Sequence, residues 1–222
     1  MKIEVNSIAK SYGKKQVIKN VTFVAQSGQC IGILGSNGSG KSTLLSILAG
    51  VQKAEKGEFL CDGKDLLQNS GIRSRLVGYI PQGTPLIEEL SAKDNLLLWY
   101  DKKTLKKELK EGILKTLGID EFIKVPVSKM SGGMKKRLSI GCAIATHPPI
   151  LLLDEPMAAL DLVCKQAISD YLKVHKQMGG ILVLVTHDAL ELGLCDECYI
   201  IKNGISEKFV YDGDMDRLVK RL

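Results

Sequence analysis

Eight residues constrain this chain more than any others. Gly35-Ser-Asn-Gly-Ser-Gly-Lys-Ser42 matches G-x-x-x-x-G-K-[ST]. The stretch follows an apolar run, Gln29-Cys-Ile-Gly-Ile-Leu, that reads as a strand. It precedes Lys41 to Ala49, which reads as a helix with Gly50 as its C-cap. Strand, glycine turn and helix in that order predict a phosphate cradle. The glycines let the backbone curl until successive N–H groups face one point, and the helix directs its positive end there. Gly35, Ser36, Asn37, Gly38, Ser39 and Gly40 form the wrap, with Thr43 a further contact in the first helical turn. Lys41 is placed to reach β- and γ-phosphates, and the Ser42 hydroxyl to ligate Mg²⁺.

A cradle of this kind needs a carboxylate at a strand end to hold the metal. Asp154 ends the apolar run Ile150-Leu-Leu-Leu-Asp154, and Glu155 follows directly. Two desolvated like charges repel unless a cation lies between them or one takes a proton. Asp154 therefore reads as the metal ligand, and Glu155 as the base that orients and deprotonates an attacking water. His187 follows a second apolar run, Ile181–Val185, and stands where it could reach a γ-phosphate.

Those two apolar runs read as parallel strands buried on both faces. The stretch Asp161 to Met178 between them is helix-compatible, which gives a βαβ unit. Earlier, Met1 to Ala25 carries strand patterns broken at Tyr12-Gly13 and Lys19-Asn20, and Asp62-Gly63 signals a hairpin. Val77–Ile80 is a short strand stopped by Pro81, and Asn203-Gly204 marks a late hairpin. From Gly83 to Thr146 the pattern turns helical and polar. Leu105, Leu109, Ile113 and Leu117 fall four apart, predicting one helix over 101–117 with a lysine-rich outer face. The expected fold is α/β: a nucleotide-binding core with an antiparallel β subdomain, over 1–82 and 147–222, and an inserted α-helical subdomain over 83–146.

At 222 residues the chain suits one domain. Its +6 charge is spread out and only 5% of residues are aromatic, so no nucleic-acid footprint is evident. Six cysteines read as buried, reduced thiols, because the single Cys195-Asp-Glu-Cys198 spacing has no partner motif to complete a zinc site. The N-terminus alternates like a strand rather than a signal peptide. No apolar run approaches the length needed to span a bilayer. A soluble, cytoplasmic protein is expected.

Met130-Ser-Gly-Gly-Met-Lys-Lys-Arg137 holds no acid, base or metal ligand, yet it starts a helix with a serine and two bare glycines. Taken in order, Tyr12, Gly35–Ser42, Gln82, Ser131-Gly-Gly-Met134, Ile150–Pro156, Ala158-Ala-Leu-Asp161 and Thr186-His-Asp188 resemble the ATP-binding cassette of ABC transporters across essentially the whole chain. The resemblance implies roles. Tyr12 matches the aromatic that stacks on adenine, and Val17 the apolar contact beside it. Gln82 matches the glutamine that touches Mg²⁺ and the attacking water. Ser131, Gly132 and Gly133 match the signature motif, which meets the ATP of a second subunit. Asp161 matches the loop that crosses the dimer interface, and His187 the switch histidine. Met134 departs from the usual glutamine, and methionine cannot hydrogen-bond a ribose as an amide can. Met157 and Ala158 replace the small hydroxyl residues often found there. Lys135, Lys136 and Arg137 could add positive field or form a solvated first turn.

The implied protein is an ATPase with ATP and Mg²⁺ as cofactors. It would pair with an identical or different cassette and drive a transmembrane subunit on a separate chain, sitting peripherally on the inner face of the membrane. Glu88-Glu-Leu-Ser91 and Ser131–Ile140 look most like the drug, antibiotic and bacteriocin-peptide exporters. The alternative is a non-transport cassette, such as an iron–sulfur assembly component.

Overall fold

A computed structural model describes residues 1–158 and 160–221. Ala159, inside the Ala158–Asp161 stretch, and Leu222 lie outside the described residues. The chain opens with two long strands, β1 (Lys2–Tyr12) and β2 (Lys15–Gln26), then β3 (Cys30–Leu34) and α1 (Lys41–Ala49). Next come β4 (Lys56–Cys61), β5 (Lys64–Asp65), α2 (Ser70–Leu76) and β6 (Val77–Ile80). Helices α3 (Ala92–Leu97), α4 (Lys102–Glu111), α5 (Ile113–Thr116) and α6 (Gly132–Ala143) follow. The chain then runs through β7 (Ile150–Asp154), α7 (Leu162–Gln177), β8 (Ile181–Val185), α8 (Ala189–Leu192), β9 (Glu197–Lys202), β10 (Ile205–Phe209) and α9 (Met215–Arg221).

The ten strands among the described residues share one sheet, in the order β5-β4-β1-β2-β10-β9-β3-β8-β7-β6. From β6 to β9 the pairing is parallel, through β7, β8 and β3. The β9–β10 hairpin turns direction and meets β2 at a single parallel bridge, Ile205 to Asn20. Beyond it β2, β1, β4 and β5 form the expected antiparallel ribbon. Every residue of β3, β7 and β8 is buried, as their unbroken apolar runs require. Alternation splits them between two cores. Ile150, Leu152, Ile31 and Ile33 pack with α1 and the antiparallel ribbon. Leu151, Leu153, Leu182 and Leu184 pack with Ile168 and Leu172 of α7, and with Leu96, Leu114 and Leu138 of the inserted helices. The segment between β6 and β7 is thus helical and shares its core with one face of the sheet.

Two expectations change. The single helix over 101–117 is two helices. Gly112 departs from helical geometry (ψ −164°), and the Glu108 carboxylate reaches past it to accept the Ile113 N–H at 3.0 Å. The periodic leucines still face one core because the break is short. Nor is β2 broken at Lys19-Asn20. Both amides donate to the Gly204 carbonyl, at 2.7 and 3.0 Å, which docks the late hairpin onto the ribbon. The turns themselves stand as read: Asp62-Gly63 and Asn203-Gly204 take positive φ, as a two-residue hairpin demands.

Parallel pairing brings one end of several strands together. The turn after β3, Gln82 after β6, Asp154 and Glu155 at the end of β7, and His187 after β8 all emerge at the carboxyl ends of neighbouring strands, where open α/β sheets bind ligands.

Candidate functional site

The glycine turn is shaped by close approach. A Cβ on Gly35 would lie 2.5 Å from Ser39 Oγ and 2.7 Å from the Ile201 carbonyl, and its φ is +151°, so only glycine fits. Gly40 (φ +106°) caps α1 without any side-chain hydrogen bond, which leaves the first amides of that nine-residue helix free to bind from outside. Val17 packs against Gly40, within 3.1 Å of where a Cβ would sit, and lines the cleft beside Ser36–Ser39. Lys41 is buried, and its Nζ donates to the carbonyls of Gly35 (2.7 Å) and Ser36 (3.1 Å). Burial lowers its pKa, while Glu155 and Asp154 pull it back up. Ser39 Oγ is buried without a hydrogen-bond partner in the protein, an orphan of a kind folded proteins rarely leave unexplained.

Asp154 is 2% exposed, and the nearby Ser42 hydroxyl favours its charged form. Burial raises its pKa, and the neighbouring Glu155 adds to the rise. Glu155 sits at φ +49°, a strained region for a non-glycine residue, held by its N–H on the Val185 carbonyl at 2.9 Å. Strain of this kind clusters at functional sites. Gln82 Nε2 donates to Glu155 Oε2 at 3.1 Å, and His187 Nε2 lies 3.9 Å from Glu155 Oε1. Burial, then the nearby Lys41, lowers the His187 pKa below 6.5, so the ring is neutral at pH 7. Asn37, Gln82, Glu155 and His187 line one cleft.

Ser131 caps α6, its Oγ accepting the Met134 N–H at 3.3 Å, with Ser131 and Gly132 exposed. Neither cleft beside the glycine turn of this chain is lined by Ser131, Gly132 or Gly133. Tyr12 also lines neither: its hydroxyl bonds Gln52, and its ring lies under Lys10. Asp161 caps α7 through the Cys164 N–H.

A family model described as ABC transporter matches residues 18–158. This chain belongs to that family. It is 34% identical over 209 residues to the Nod factor export ATP-binding protein I of Sinorhizobium fredii, spanning 91% of this chain and 60% of that protein. Against the spermidine/putrescine import ATP-binding protein PotA of Bacteroides fragilis the identity is 37%, over 91% of this chain and 45% of that one. The chain thus spans roughly half the length of these two relatives. A linearmycin resistance ATP-binding protein of Bacillus subtilis is 31% identical over 91% of this chain and 67% of its own length. Exporters and importers therefore stand among its relatives alike. An ATP-binding subunit of an ABC transporter superposes with a TM-score of 0.85 at 27% identity, covering 100% of this chain and 95% of that one. A dimeric cassette in a post-hydrolysis state bound to ADP and Pi gives 0.83 at 28% identity, over 94% and 99%.

Within the cassette, several groups suit a magnesium nucleotide. They are the orphan Ser39 hydroxyl, the uncapped α1 amides and the desolvated carboxyl of Asp154 near Ser42. No group of three or more His, Cys, Asp or Glu side chains able to hold a metal occurs among the described residues. The cysteines are free thiols, five of them buried. Two residues escaped the sequence reading. Glu191, 1% exposed, accepts the Met157 N–H at 2.9 Å and the Thr186 hydroxyl. Lys136 is not in a solvated turn: it is 6% exposed and donates to the Pro81 carbonyl at 3.0 Å. Its neighbours are also engaged. Lys135 pairs with Glu88 at 2.8 Å, and Arg137 reaches the Leu117 carbonyl and lies over Phe122. A helical period places Lys136 inward, but nothing in a basic tripeptide says which of its members will be buried.

Proposed function

We propose that this chain is the ATP-binding and ATP-hydrolysing subunit of an ABC transporter. It dimerises around two ATP and drives a transmembrane subunit carried on a separate chain, as an exporter. The observation that carries the reading is Glu155, held in a strained backbone between Gln82 and His187 and within the field of Lys41.

The residues divide the work. Gly35 to Thr43 and the Lys41 ammonium bind the phosphates, and Val17 takes the base, which Tyr12 joins only by leaving Gln52 and Lys10. Ser42, Asp154 and Gln82 would hold a Mg²⁺, which would supply charge neutralisation on the phosphate oxygens. Glu155 accepts the proton of the attacking water, and Gln82 fixes the position of both. Neutral His187 offers one ring N–H to the γ-phosphate. Positioning and fixed charge supply most of the rate, since no covalent intermediate is needed. Ser131 and the amides of Gly132 and Gly133 complete the site of the second subunit.

The inserted segment 83–146 begins beside Gln82 and is suited to carry nucleotide state to the membrane partner. Leu98 and Trp99, each 59% exposed, border a cleft with Pro85 and Ile87. Apolar surface exposed in this way suits a protein interface. No helix among the described residues is long and apolar enough to cross a membrane. That fits a subunit held at the inner membrane face by its partner. Export is favoured by the residues of Glu88–Ser91 and Ser131–Ile140; the relatives, which include both export and import proteins, do not decide it.

Glu155→Gln tests the reading. Loss of a general base should slow phosphate release by roughly 10²- to 10⁴-fold while ATP still binds and drives dimerisation, seen by light scattering. A wild-type rate, or a monomer in saturating ATP, would overturn it.

A further inference from the structure

Among the described residues two lysines are buried, Lys41 and Lys136. Lys41 belongs to the phosphate loop, whereas the hydrogen bond of Lys136 goes to the Pro81 carbonyl instead. It stands on α6, five positions beyond the cap Ser131, or about 7 Å along a stiff helix at 1.5 Å per residue. Its Nζ donates to the carbonyl of Pro81, the residue immediately before Gln82. Gln82 in turn donates to Glu155 at 3.1 Å. Burial lowers the pKa of the ammonium overall, against the opposing pull of the acidic groups at the strand ends, Asp154 first. Burying a charge is costly unless other groups hold it there, and here every such group belongs to, or adjoins, the hydrolytic end of the sheet.

We infer that Lys136 is a positioning residue that ties the helix headed by Ser131 to Gln82, and through Gln82 to Glu155. When the second subunit's nucleotide engages the start of α6, the shift of that helix is passed to the Pro81 carbonyl. The catalytic carboxylate of the same chain is then aligned. The two sites of a dimer are thereby linked through each chain's own α6. The inference rests on the hydrolytic reading of Glu155 and Gln82 given above.

The full chain is assayed for phosphate release, for equilibrium ATP binding and by thermal melting. Lys136→Met keeps the length of the side chain and removes the ammonium. The rate constant should fall about tenfold or more while the ATP dissociation constant stays within about twofold. The melting temperature should fall, because methionine leaves the Pro81 carbonyl without its donor and the nearby acidic groups without their counter-charge, so rates are compared below both melting temperatures. Acting through Gln82, the substitution should cost less than about twofold in a Gln82→Ala background, since residues on one route are not additive. If Lys136→Met melts below the assay temperature, Lys136→Gln is read by the same two comparisons. A wild-type rate in the single variant, or the same fold-loss in both backgrounds, overturns the coupling. Glu155→Gln separates the two failures. If it hydrolyses ATP normally, the site reading falls and the coupling with it. If it is inactive while Lys136→Met is fully active, the coupling alone falls.

Discussion

Glu191 is a buried carboxyl whose surroundings set its charge. Burial is the largest influence on it and raises its pKa above 4.5, against the lowering effect of hydrogen bonds from Thr186 and the Met157 N–H. The folded state therefore holds this proton more tightly than the unfolded chain. Stability from this group is complete below pH 4.5 and is lost as pH rises through the raised value. Glu191→Gln keeps an acceptor for Met157 and removes the titration. Relative to wild type, the variant should gain stability as pH is raised from 5 to 8, read from urea unfolding at the two values. A difference that does not change with pH would show that Glu191 is not held protonated. Residues of this kind were hard to read in advance. Asp154, Glu155 and Lys41 announce themselves by motif and by the cost of adjacent desolvated charge. Glu191 and Lys136 lie in ordinary helical sequence, and only the packing of α6 and α8 against the strand ends makes them buried.

Elements whose ends are marked locally matched their sequence signals. Gly50 closes α1, Asp161 opens α7 and Pro81 follows the end of β6. Where a side chain far from the pattern decides, the signal failed: Glu108 caps across Gly112 and divides the helix. Asn95 exerts a similar remote control over the loop that follows Gln82. The side chain is 2% exposed, and its Oδ1 accepts the Ile87 N–H at 2.9 Å. Its Nδ2 donates to the carbonyls of Ile87 and Ser91, each at 3.1 Å. All its bonds hold the loop to the start of α3. Asn95→Ala leaves the Ile87 N–H without its partner, while the Ile87 and Ser91 carbonyls keep the Leu90 and Asn95 amides; the loss should cost about 2 kcal/mol of stability and lower the melting temperature by roughly 4–8 °C for a chain of this size. Proteolysis should rise first between Thr84 and Leu90. A variant with wild-type melting and unchanged cleavage would show that the loop is held by its apolar contacts instead.

At the scale of the whole molecule, the fold keeps apart two groups of residues that the proposed function joins in one site. The sheet gathers Lys41, Gln82, Asp154, Glu155 and His187 at one set of strand ends, whereas Ser131 and Gly132 stand exposed at the head of α6 and line neither cleft beside the phosphate loop of their own chain. A helix start without a local ligand suits an anion brought by another molecule. Complementation examines this arrangement directly. Lys41→Ala removes a phosphate-binding group but leaves its own Ser131 intact. Ser131→Arg obstructs the helix start but leaves its own phosphate loop intact. Each variant alone should hydrolyse ATP at a small fraction of the wild-type rate, because in a dimer of either one both composite sites lack a half. Mixed in equal amounts, they form mixed pairs in which one site has an intact loop from the Ser131→Arg chain and an intact helix start from the Lys41→Ala chain. Half of randomly formed dimers are of this kind and carry one good site of two, so about a quarter of wild-type activity should return if the sites act independently. Sites completed within a single chain would leave the mixture as inactive as its components.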